Sequence, residues 1–177
     1  MMYRIRNFIK SIKNLIRWFP IIWKDKDWDD HFIWEILKTK LKHQADYISK
    51  HDRHTTSQYD AQKMRLCISL IEKIQDEFYG MEYMDYHVCT FNFIPYNDKE
   101  GYSELEINEL SENFDEYFDK YKASVRKVMK DNSLQVYKLT NIDYKKTLAM
   151  NVANYNEKKA QDLLFKLLNK HIRGWWD

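Results

Sequence analysis

Along most of the chain the apolar positions recur every three to four residues, the spacing of one face of an α-helix. Ile5, Phe8, Ile9, Ile12, Leu15 and Ile16 form one such stripe and predict a helix from about Tyr3 to Trp18, with Pro20 as its stop. Ile33, Ile36, Leu37, Leu41, Ala45 and Ile48 predict a second helix over 30–49. Met64, Cys67, Ile68, Ile71, Ile74 and Phe78 predict a third over 59–79, opened by Ser57 and Asp60 at capping spacing and ended by Gly80. The loop between these two is short, so they should pair as an antiparallel hairpin. Ile107, Leu110, Phe114, Tyr117, Phe118, Tyr121, Val125 and Val128 predict a long acidic helix over 104–130, with Ser103 and Glu106 as a capping box. Leu163, Leu164, Leu167, Leu168 and Ile172 predict a last helix over 157–172, capped near Asn156 and ended by Gly174.

Two segments break the helical period. Residues 81–102 contain the run Tyr86 to Tyr96, rich in β-branched and aromatic residues with partial alternation, which predicts an extended arm or a small hairpin. Residues 133–155 read two ways, a strand over 134–139 and a short helix over 144–155. Only three glycines and two prolines occur, too few for the turns of a sandwich or barrel. The pattern therefore predicts a mostly α fold, an antiparallel helical bundle with a minor extended or β segment near 81–102. One domain of 177 residues is expected. Its parts are a basic amphipathic helix (1–19), the helical hairpin (28–80), the extended segment (81–102), the acidic helix (103–132) and a basic C-terminal part (133–177).

Charge is unevenly laid out. Residues 1–24 hold six Lys/Arg and no acid, residues 81–132 have net charge −6, and residues 133–177 have net charge +4. Arg4, Arg6, Lys10, Lys13 and Arg17 make a basic face on the first helix. That helix either docks on the core with its cations in water, or serves as a membrane-surface or partner-docking arm, or contacts phosphates. Cys67 lies on an apolar stripe, where a buried thiol is expected, and two cysteines form no disulfide framework. No apolar run approaches a membrane span, and the N-terminal basic segment lacks the continuous apolar region and cleavage site of a signal peptide.

The stretch from Trp23 to His54 concentrates acids, tryptophans and histidines around the second helix. Asp27, Asp29 and Asp30 read as caps for its first turn, and Trp23, Trp28 and Trp34 as anchors for the entering chain. The sharper reading is a metal centre. Asp29, His31 and Glu35 could supply one ligand set, and His51, His54 and Asp60 another. The two sets lie at opposite ends of a helix about 30 Å long, so one site cannot combine them. His87 and Cys89 form at most half a site. No P-loop, dinucleotide fingerprint or nucleophile elbow occurs.

The segment Trp18–Asp29 contains Trp-x-Asp-x-Asp-Trp-Asp (Trp23 to Asp29), and a helix bearing Asp-Ala-x-x-Met-Arg-x-Cys (Asp60 to Cys67) follows it. With the terminal Trp175-Trp176-Asp177, these resemble a family of small uncharacterised proteins of tailed bacteriophages and prophages. The resemblance is best over 18–79 and implies action inside an infected bacterium, in its cytoplasm, or in the virion. It transfers no catalytic residues and no cofactor.

The favoured function is non-enzymatic protein–protein binding, with a host or defence factor, or another phage protein, as partner. The acids Glu109, Glu112, Asp115 and Glu116 offer an acidic face to such a partner, and Trp175 and Trp176 an aromatic anchor. The alternatives are a virion or assembly component that self-associates, an accessory protein that binds nucleic acid, and an all-α metal-dependent hydrolase.

Overall fold

The first helix does not stop at its proline. In the computed structural model, which describes residues 2–24, 26, 31–52, 54–95, 101–131 and 141–175, α1 runs Met2–Ile22 with Pro20 in its last turn. A proline removes one helical N–H and crowds the carbonyl four residues back. Ile16, whose carbonyl the proline leaves without its helical donor, is exposed, so water can serve it. Trp23 N–H still donates to the Phe19 carbonyl (2.9 Å) and Lys24 N–H to that of Ile21 (3.1 Å), closing the helix beyond the ring.

The mostly helical architecture follows the stripes. Helices α2 (His31–His51) and α3 (Ser57–Gln75) form the expected antiparallel hairpin. Leu41, Ala45 and Ile48 of α2 are buried, as are Ala61, Met64, Cys67, Leu70 and Ile71 of α3. Ile33 and Ile36, at the start of the α2 stripe, remain exposed. The chain leaves α2 through Asp52 at φ 40°, a left-handed turn position that Asp tolerates better than most side chains. Helix α3 ends at Gln75, short of the expected Tyr79, because Glu77 turns left-handed (φ 48°) and starts the one-turn helix α4 (Phe78–Met81). A short 3₁₀ turn, Glu82–Tyr86, follows.

The expected long acidic helix is not formed as such. Residues Ser103–Glu112 are a strand, β2, paired antiparallel with β1 (His87–Pro95). Phe91 sits opposite Ile107, and Phe93 opposite Leu105. A bulge after Val88 leaves Leu110 without an opposite residue. Ser103 and Glu106, expected to cap a helix, face Pro95 and Asn92 across the ladder. The letters from Leu105 to Phe118 fit both periods, and pairing with β1 decides between them. The helix begins only at α5 (Phe114–Lys120), where a Glu112 carboxylate oxygen accepts the Phe114 N–H at 3.1 Å. Tyr121 breaks it from α6 (Lys122–Lys130).

Helix α7 (Asn141–His171) absorbs both the predicted 144–155 helix and the last one. No glycine or proline interrupts residues 141–171. Asn156 is therefore not a cap but a buried residue whose Oδ1 accepts the Ser124 hydroxyl at 2.6 Å. The strand expected over 134–139 lies outside the described residues.

The chain gathers into two compact units, residues 1–75 with 164–177, and residues 76–163, where length had suggested one domain. The first unit is built on the α2–α3 hairpin, with Leu164, Leu168 and Trp175 also buried. The second has a core of Phe114, Tyr117, Val128, Leu148, Ala149 and Val152, with Tyr83, Tyr86, Phe118 and Tyr121 packed against it. Among the described residues no helix is long and apolar enough to cross a membrane.

Candidate functional site

Four members of the two ligand sets suggested by sequence, His31, Glu35, His54 and Asp60, are taken up in internal hydrogen bonding. At the start of α2, the Glu35 carboxylate takes the Lys38 ammonium and the Gln75 amide (3.1 Å), and His31 Nε2 lies 3.7 Å from it. Burial works to raise the Glu35 carboxyl, but the bonds from Lys38 and Gln75 outweigh it and hold the group below its ordinary value. Lys38 also donates to Gln75 at 2.8 Å, so this cluster locks the α2–α3 hairpin at one end. Asp27, Asp29, Asp30 and Trp28 lie outside the described residues.

At the other end, His54 and Asp60 do meet, at 3.0 Å, and the same carboxylate oxygen accepts the Thr56 hydroxyl at 2.7 Å. The Ser57 hydroxyl donates to the His54 carbonyl (2.6 Å) and accepts the His54 N–H (3.0 Å). Ser57 and Asp60 thus fasten the loop onto α3 rather than forming the expected capping box. His51 is not drawn in; its ring packs on Tyr47 at 4.6 Å. Among the described residues no group of three or more His, Cys, Asp or Glu side chains could hold a metal ion.

The cysteines behave as their positions predict. Cys67 is fully buried, and burial pushes its thiol up to about 11. Such a thiol carries almost no nucleophilic thiolate near neutrality. Cys89 is a half-buried thiol on β1, and His87 stacks on Phe114 at 5.8 Å. Among the described residues no group of three or more such donors forms around them.

The acidic face is dispersed and internally compensated. Glu109 and Glu112 stand on β2, and Asp115 and Glu116 in the first turn of α5. Lys145 of α7 donates to Glu112 (3.2 Å) and Asp115 (3.0 Å), and Lys146 donates to Glu109 (3.2 Å). Glu116 accepts the Asn113 amide at 2.6 Å. Reversing these charges would disturb ion pairs within the unit as well as any partner contact.

The expected aromatic anchors divide. Trp175 is not offered to a partner or to nucleic-acid bases. It is 2% exposed, its carbonyl accepts the Gln44 amide at 3.1 Å, and its ring stacks on His171. Trp176 lies outside the described residues. Trp34 packs on Phe165 at 6.1 Å, whereas Trp23 is 76% exposed and touches Phe19, so it does not anchor α2.

Sequence reasoning missed a cleft of about 760 Å³ in the first unit, lined by Arg17, Lys40, His43, Gln44, Lys50 and His51 among others. The signal was there: positions 40, 43, 44, 47, 50 and 51 share one face of α2 at helical spacing. Burial and the neighbouring Arg17 charge hold the His43 imidazole below its ordinary value.

Two apolar surfaces stand in solvent. One is α1, whose stripe is exposed along its whole length. The other is the β-hairpin, where the opposed pairs Phe91–Ile107 and Phe93–Leu105 share one face. These four side chains are about half exposed or more, Phe93 reaching 71%. The opposite face carries Thr90, Asn92, Ile94, Glu104, Glu106 and Asn108. Comparison with protein families, with curated proteins and with solved structures finds no match to this chain.

Proposed function

We propose that the chain is a non-enzymatic binding protein that docks a partner protein on the β1–β2 hairpin. In the phage setting implied by its sequence resemblance, the partner is a host or defence factor in the infected cell. The observation that carries this reading is the hairpin's one apolar face, Phe91, Phe93, Leu105 and Ile107, exposed in water. A two-stranded ribbon is marginal alone and gains by burying such a face. Large aromatics and aliphatics presented on a rigid ladder are the side chains that dominate interface energetics. Among the described residues no third strand joins the sheet, so both outer edges also offer backbone groups for strand addition. The acids at Glu109, Glu112 and Asp115 contribute less than their charge suggests, since lysines of the same unit already face them.

Site-specific photo-crosslinking tests the reading. A photoreactive residue at Phe93, on the apolar face, should yield a partner adduct in bacterial lysate, and one at Asn92, on the polar face, should not. Phe91→Asp with Phe93→Asp should abolish the adduct formed from Leu105 while leaving the far-UV spectrum unchanged. Equal adducts from both faces, or none from either, would sink the hairpin as the docking surface.

A further inference from the structure

We infer that α1 is a surface anchor for anionic lipid membranes, lying in the headgroup plane with its apolar stripe turned into the acyl boundary. The inference stands apart from the hairpin reading. Its first support is the way α1 sits on its own unit. At 100° per residue, Ile5, Phe8, Ile12, Leu15, Phe19 and Trp23 fall within an arc of about 80°. Each of the six is at least 40% exposed. The two α1 residues that the fold half-buries, Trp18 and Ile21, lie on the opposite side, and the Trp18 ring meets His43 of α2 at 6.2 Å. A helix held for the sake of its own core would do the reverse and bury the stripe.

Charge identifies the occupant. Arg6, Lys10, Lys13, Arg17 and Lys24 make the polar face that backs the stripe, Arg4 lies at its border, and no acid occurs in residues 1–24. An apolar protein groove or a second copy of the helix would give those cations no opposite charge. Anionic headgroups neutralise them, and each cation near such a surface strengthens binding by about fivefold. Phe19 and Trp23, 5.3 Å apart beside the stripe's end, are the side chains favoured at a membrane–water boundary. Twenty-one residues could reach across a bilayer, but five cations within them leave no membrane-spanning character. The helix therefore lies on the membrane instead of crossing it.

The test is vesicle co-sedimentation of the full chain with phosphatidylcholine vesicles containing 0 or about 30% phosphatidylglycerol, the range over which anionic surface potential develops. Binding should be at least about tenfold tighter to the anionic vesicles, fall as salt rises, and blue-shift the emission of Trp23, a shift that Trp23→Phe removes. Lys10→Glu with Lys13→Glu should weaken binding by at least about tenfold. Phe8→Asp with Ile12→Asp should abolish it, and both positions are exposed, so circular dichroism should be unchanged. Three results would overturn the inference. One is equal partitioning to both vesicle types. Another is anionic binding that survives Phe8→Asp with Ile12→Asp, which would mark simple electrostatics of the kind nucleic acid also provides. The third is a dimer, dispersed by those substitutions, in a chain that leaves vesicles unbound.

Discussion

Glu157 lies within α7 with one carboxylate oxygen, Oε2, buried and unbonded. Burial raises its carboxyl above the ordinary value, against bonds from Gln161 and the Gly80 backbone that lower it. The sign of its effect on stability follows from proton uptake. The folded chain holds this proton more tightly than the unfolded chain, so its contribution is most favourable below the ordinary carboxylate value. That contribution declines as pH rises through the higher folded value. Glu157→Gln keeps an oxygen for the Gly80 bond and removes the charge. At pH 7 the variant should be at least as stable as the native chain in urea, and the difference should shrink on acidification toward pH 4.5. A difference that grew on acidification would show that the ionised form is the better-bound one. Glu82 is the contrast within the same unit. It is more deeply buried, and its partners are the Lys120 ammonium and the Tyr121 hydroxyl, so an ion pair stands there that Glu157 lacks among its bonds from Gln161 and the Gly80 backbone. The Glu82 pairing could not be read from sequence, because its partners lie 38 and 39 residues away.

Elements were legible wherever one period had no rival. The α2–α3 hairpin follows from two stripes and a short loop, and Cys67 is buried where its stripe places it. The segment after Ser103 was not legible. Glu and Leu favour helices locally, while its strand form depends on β1, whose facing residues lie up to 25 positions away in the register from His87↔Glu112 to Pro95↔Ser103. The candidate site suffered from the same blindness, since the apolar hairpin face exists only once Phe91 and Phe93 stand opposite Ile107 and Leu105. The register can be tested directly. Cys89 faces Glu109, and opposed residues in an antiparallel pair have Cα atoms about 4.5–5.5 Å apart, within reach of a disulfide. Glu109→Cys should therefore cross-link to Cys89 under mild oxidation, with a mass loss of about two hydrogens. Leu110→Cys, at the bulge, should cross-link far less. A helix over 104–130 would keep every one of these positions from pairing with 89 in a fixed register, and equal yields from both variants would refute the ladder.

At the scale of the whole molecule, the two units differ in what holds them. The first packs aliphatic side chains from α2 and α3 against each other, with Met64, Cys67 and Ile71 fully buried. The second packs an aromatic cluster around Phe114 and Tyr117, while each unit buries polar side chains, Gln44, Ser57 and Asp60 in the first and Glu82, Ser124 and Asn156 in the second. The second unit carries the hairpin, whose apolar face contributes nothing while it stays in water. It should therefore be the weaker of the two. The sequence supplies a separate reporter, because no tryptophan occurs between residues 76 and 163. Tryptophan fluorescence follows the first unit alone, while far-UV circular dichroism follows helices in both. In a urea titration the dichroism should begin to fall at lower denaturant than the fluorescence. Coincident curves for both probes would mean that α7, which supplies residues to both units, makes them unfold as one cooperative body.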